Sequence, residues 1–141
     1  MLALVCVSQL FGMTPWFTAS AIGRALPFAA DLDASALGWL TSAVQLGFVG
    51  GTLLAVMLNL ADVLPARLYV ALACALAGAA NLMLLGASDL FTASLARFAT
   101  GAFLAGVYPP AMKMAATWFL RRRGLAVGAV VGALILGKAF P

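Results

Sequence analysis

The sequence predicts an all-α fold, a polytopic bundle of transmembrane helices, and three observations predict it. Hydrophobic residues make up 65% of the chain and charged residues only 9%. Mean hydropathy is +1.12. The apolar residues fall into five long runs separated by short turns that hold most of the charge. A chain of 141 residues could bury a soluble core, but this one has too little polar surface to cover it.

A spanning helix needs roughly 20 apolar residues. The first run covers residues 2–27. It lacks a basic leader, which argues against a signal peptide, although Ala19-Ser20-Ala21 imitates a cleavage site. Residues 28–35 hold Asp31 and Asp33 and read as a loop, with Ser35 able to cap the next helix. The second run covers 36–61 and ends at Asp62-Val63-Leu64-Pro65. The third covers 67–86, and Ala87-Ser88-Asp89 makes the next turn. The fourth, 90–119, is long for one span, and Pro109 and Pro110 predict a bend in it. The fifth, 124–141, is still apolar where the sequence ends. The expectation is one transmembrane domain over 1–141, belonging to a larger protein.

Loop charge predicts orientation. The first and third loops carry Asp31, Asp33 and Asp89, whereas the second carries Asp62 and Arg67 and the fourth Arg121, Arg122 and Arg123. The positive-inside rule then places the amino terminus and the even loops in the cytoplasm of a cell (inner) membrane protein. The net charge of +4 reads as topology rather than as a nucleic-acid footprint, because the cations are few and grouped. Arg24 reads as interfacial.

Helical periodicity sorts the polar residues. Gln9, Trp16 and Ser20 share a face of the first span. Thr41, Gln45, Thr52 and Asn59 form a stripe on the second, and Arg97, Gly101 and Tyr108 align on the fourth. The third span carries little beyond Cys74 and Asn81. A single Thr, Gln or Asn reads as an interhelical hydrogen bond. Stripes on several helices read as a shared polar path.

Arg97 lies inside the fourth span, where a charge costs at least about 2.5 kcal/mol. Two readings stay open: a functional cation, or a side chain snorkelling outward near Asp89. Lys113, about 24 Å further along an ideal helix, can snorkel toward the fourth loop. Lys138 is a further intramembrane cation with no partner assigned. Chemistry of other kinds lacks its parts. There is no His and no Glu, and no aspartate lies within a span, so neither an enzyme nor a metal site nor a cofactor is expected. Cys6 and Cys74 sit in apolar runs as small core residues. Gly132–Lys138 has the skeleton of a phosphate-binding loop, but Ala139 stands where Ser or Thr is needed and no strand precedes it.

The fourth span, the loop after it and the start of the fifth carry a resemblance. Arg97-x3-Gly101, Gly106-x-Tyr108-Pro109, Trp118-Phe119 and Arg123-Gly124-x3-Gly128 resemble the amino-terminal half of a major facilitator superfamily transporter. In the loop after the second span, Asp62 and Arg67 match that family's pattern, while Leu58, Val63, Pro65 and Ala66 depart from it. The Gly-Pro signature of the family's antiporters is absent from the fifth span, which counts against drug efflux, and so is the signature of its nitrate porters. The resemblance implies twelve spans in two halves, a substrate at the midplane, first and fourth spans lining the cavity, and a peripheral third span. It assigns coupling to Arg97.

The function expected is secondary active transport of a small solute, with an anion and a proton favoured because intramembrane cations outnumber anions. Gln9, Trp16, Gln45 and Tyr108 are the expected cavity residues beside Arg97, and Asp62 and Arg67 the expected cytoplasmic gate. The partners are then the substrate, the bilayer and the carboxy-terminal half of the same transporter. The alternative is a non-transporting bundle that binds another membrane protein.

Overall fold

A computed structural model describes residues 2–22, 33–119 and 123–139. Arg24, Asp31, Arg121 and Arg122 lie outside them, so the loop charges that those residues contribute to orientation are not seen. Among the described residues every regular element is helical. Four stretches are long and apolar enough to cross a membrane: Leu2–Ile22, Ala34–Met57, Ala66–Gly86 and Leu90–Trp118. A shorter apolar helix, Gly124–Ala139, comes after them.

The first stretch is broken, which the apolar run did not predict. Helix α1 (Leu2–Gly12) gives way to a 3₁₀ turn at Thr14–Phe17 before α2 (Thr18–Ile22) resumes. Pro15 is the cause. It has no N–H for the carbonyl of Phe11, four residues back, and the Thr14 hydroxyl donates to that carbonyl instead at 2.9 Å.

Helix α3 (Ala34–Met57) is capped by Asp33, not by Ser35. The Asp33 carboxylate accepts from the Ala36 N–H at 2.7 Å, and the Ser35 hydroxyl donates to the same carboxylate at 2.8 Å. These donors, the backbone one foremost, hold Asp33 below the usual carboxylate value of 3.8. The helix stops at Met57 rather than at residue 61. Asn59 adopts a left-handed conformation (φ 51°), which asparagine tolerates better than most residues. A single turn, α4 (Leu60–Val63), then leads to Pro65 and α5 (Ala66–Leu82), which ends in a 3₁₀ turn at Met83–Gly86.

Asp89 caps α6 (Leu90–Leu104) in a reciprocal box with Thr92, whose N–H lies 2.7 Å from the carboxylate. That bond and the Thr92 hydroxyl lower the Asp89 pKa. The fourth stretch then turns at residues 105–107, and α7 (Tyr108–Trp118) starts afresh with both prolines in its first turn. The missing N–H groups are orphans there in any case, so Pro109 and Pro110 open a new helix rather than bend a continuous one. Helix α8 (Arg123–Ala139) is unbroken through Gly132–Lys138. That segment is therefore no phosphate-binding loop.

Helices α3 and α6 form the most extensive pair. Glycines let their backbones touch: a Cβ on Gly47 would lie 2.0 Å from the Phe98 carbonyl oxygen, and one on Gly101 only 1.9 Å from that of Val44. Helices α1 and α8 meet the same way, with Gly137 against the Leu10 carbonyl. The core falls into three clusters. Leu40, Leu84 and Ala93 pack beside the turns that carry Asp33 and Asp89. Met13, Trp16, Val44, Leu104 and Val107 fill the middle. Val5, Ala111, Ala115 and Val130 pack toward the opposite end. Large apolar side chains such as Val49, Leu53, Leu72 and Leu76 point outward. A bilayer satisfies that surface and water does not.

Candidate functional site

Arg97 is wholly buried. It does not snorkel toward Asp89. One terminal nitrogen (Nη1) donates to the Pro15 carbonyl at 2.8 Å and to Asn81 Oδ1 at 2.9 Å, while Nη2 donates to the Trp16 carbonyl. Asn81 in turn donates to the Thr18 hydroxyl at 3.3 Å. The guanidinium therefore binds α6 to the 3₁₀ turn of the first span and to the third span. Its partners are neutral oxygens. Converging carbonyl dipoles and several charge-assisted bonds offset its desolvation in place of an acid. Its Nε remains buried without a hydrogen-bond partner.

Gln9, also fully buried, serves the other break. Its amide donates to the Val107 carbonyl at 3.2 Å, joining α1 to the turn before α7, and its Oε1 is buried and unpaired. The two interruptions in the bundle, at Thr14–Phe17 and at 105–107, are thus each held by one buried polar side chain from another helix.

Trp16 and Tyr108 come together. With Met13, Phe48, Val131, Leu134 and Lys138 they line a cavity of about 260 Å³. Lys138 Nζ stands over the Trp16 ring, 4.0 Å from its centroid. The ring also packs edge-on against Phe48, with centroids 5.2 Å apart. Gln9 and Arg97 do not line this cavity. Arg97 touches it only through Trp16, holding the backbone of the residue whose ring forms the wall.

Gln45 is exposed on α3, apart from that wall. Its stripe-mates Thr41 and Thr52 return their hydroxyls to the carbonyls of Leu37 and Phe48, and Asn59 ends the helix. Asp62 pairs with Lys113, whose ammonium also lies 3.4 Å from the Ala61 carbonyl. Lys113 therefore reaches the second loop rather than the fourth. Both partners are more than half exposed. Arg67 is exposed and stands apart from that pair. Cys6 and Cys74 are half-buried free thiols.

Sequence reasoning passed over two residues that matter here. Asn81 was visible as one of two polar residues on a bland span, and a buried arginine needs such an acceptor. Lys138 was visible as a cation without a partner, but only the fold brings it to Trp16.

The helices and the outward apolar belt define a multi-pass integral membrane protein. Two of its buried polar side chains, Arg97 and Gln9, hold the two helix breaks, and Trp16, Tyr108 and Lys138 line a cavity beside the first of them. The chain belongs to the Major Facilitator Superfamily, whose family model matches residues 1–140. This is a family of membrane transporters that carry small molecules across the bilayer. No curated protein and no solved structure matches the chain.

Proposed function

We propose that this chain forms the amino-terminal part of a secondary active transporter that carries a small anion together with a proton by alternating access. Its partner is the carboxy-terminal half of the same transporter. The amino terminus and the even loops face the cytoplasm across the cell (inner) membrane. The observation that carries the reading is the Lys138 ammonium on the Trp16 ring inside the cavity. A cation held by a ring, with no carboxylate in salt-bridge reach among the described residues, remains available to an anionic ligand. Electrostatics supports a coupled cation, which this reading takes to be a proton. Moving one negative charge inward costs about 2.3 kcal/mol per 100 mV of inside-negative potential, and one accompanying proton cancels that cost.

In this scheme Trp16, Tyr108 and Lys138 meet the substrate. Arg97 acts on coupling through the Trp16 carbonyl, linking the state of the first-span break to α6. Gln9 holds the second break, and exposed Gln45 faces the opposing half. Asp62 with Lys113, and Arg67 apart from that pair on α5, form the cytoplasmic gate.

The test is uptake by the full-length protein in liposomes, measured with radiolabelled benzoate and phosphate, with and without an inward proton gradient. Saturable uptake of either anion, increased by the gradient, is the expected result. No saturable uptake under either condition overturns transport of an anion. Co-purification of a stoichiometric membrane partner in that case favours the non-transporting bundle. Orientation is tested by replacing Cys6 and Cys74 with serine and labelling Asp62→Cys with a membrane-impermeant maleimide. Labelling from the cytoplasmic side is expected, and labelling from outside reverses the topology.

A further inference from the structure

The geometry points to a substrate class: a small organic monoanion, a carboxylate on a compact apolar body. This rests on the anion reading above and narrows it. Two features of the wall carry it. Among the described residues Lys138 is the single charged one lining the cavity, so this wall offers the substrate one positive charge. The remaining lining is Met13, Trp16, Phe48, Tyr108, Val131 and Leu134. That surface desolvates a hydrocarbon body at little cost but offers a multiply hydrated inorganic anion one phenol and one ammonium in exchange for its water shell.

The same wall explains how the cation is kept when the site is empty. An ammonium inside an apolar bundle needs compensation, and the face of Trp16 supplies it electrostatically. The ring is fixed from two sides, by the edge-on contact with Phe48 and by the Arg97 bond to its own carbonyl. A carboxylate entering the cavity offers Lys138 a charge-assisted hydrogen bond, the stronger of the two interactions. The ammonium then leaves the ring for the carboxylate, and the apolar body of the substrate takes its place against Trp16 and Met13. Trp16 is thus both the resting place of the cation and a contact for the substrate, and its fluorescence reports the exchange.

The experiment uses the full-length protein in detergent with every tryptophan except Trp16 replaced by phenylalanine. Trp16 emission is titrated with benzoate, with the isosteric neutral benzamide, and with sulfate. Benzoate is expected to give a saturable change, and benzamide to bind about tenfold or more weakly for want of the charge-assisted bond. Sulfate is expected to leave the benzoate titration unmoved at constant ionic strength. Lys138→Met should abolish the benzoate response and Lys138→Arg should retain it, which separates loss of the charge from loss of the fold. Sulfate competing as well as benzoate overturns the organic class while leaving the anion reading intact. Benzamide binding as well as benzoate, or no saturable response to either anion, overturns both.

Discussion

Two cations in this bundle meet the same tryptophan, one at its backbone and one at its ring, and are treated in opposite ways. Arg97 grips the Trp16 carbonyl, and with it the Pro15 carbonyl and Asn81, from a position sealed from solvent. Lys138 rests on the Trp16 ring at the edge of a cavity, with the ring as its one described partner. A guanidinium suits the first task, because its planar fork of donors can satisfy several fixed oxygens at once. An ammonium on a flexible stem suits the second, because it can leave one partner for another. Charge inside a membrane bundle is therefore not one kind of signal. A cation held by several fixed oxygens braces the wall, and a cation left on a ring is available for exchange.

The largest expected effect breaks the first half of that contrast. Arg97→Ala strips the Pro15 and Trp16 carbonyls and Asn81 of a buried donor. At about 1–3 kcal/mol for each buried group left unpaired, the loss is on the order of several kcal/mol. Thermal melting in detergent should fall sharply, and Trp16 emission should shift as its backbone is released. Arg97→Lys should recover only part of the stability, since one ammonium cannot span three acceptors. Asn81→Ala removes one of the three acceptors of Arg97 and the bond to Thr18, and should cost less, about 1–3 kcal/mol at about 0.6–2 kcal/mol per interhelical bond, read from the same melting curve.

The second half predicts smaller numbers. Lys138→Met gives up one cation–π contact, about 0.5–2 kcal/mol, and relieves the bundle of a charge, so net stability should change little. Smallest is Asp62→Asn. Its pair with Lys113 is more than half exposed, and such pairs contribute about 0–1 kcal/mol, reduced further by salt. A melting point that fell more for Asp62→Asn than for Asn81→Ala would overturn the ranking of buried over exposed polar contacts.

The architecture was legible because hydropathy is a local property. Five apolar runs announce helices whatever those helices pack against. Both helix breaks trace to prolines, but their form depends on context. Pro109 and Pro110 predicted a bend, whereas the chain turns just before them, because proline fits the first turn of a new helix better than the interior of an old one. Pro15 lay in a run that looked continuous, and the hydroxyl of Thr14 repairs the gap it leaves. At the second span, Asp33 outcompetes Ser35 as cap because a carboxylate one residue before the helix start can reach the Ala36 N–H.

The candidate site was legible only in part. Trp16 and Tyr108 were expected in a cavity and share one wall. The partners were not legible, because each pairing joins residues far apart in sequence: Arg97 with Asn81 and Pro15, Lys138 with Trp16, Lys113 with Asp62. Periodicity places a residue on a face. It does not say which neighbour that face will meet.

The most direct test of the contrast is the melting temperature of Lys138→Met with and without saturating benzoate, beside the unaltered protein. Equal melting points are expected for the two proteins without benzoate, and a benzoate-induced rise confined to the unaltered one. A Lys138→Met protein that melts well below the unaltered protein yet keeps the full benzoate rise would make Lys138 a structural cation like Arg97, and would contradict its role as the exchangeable one.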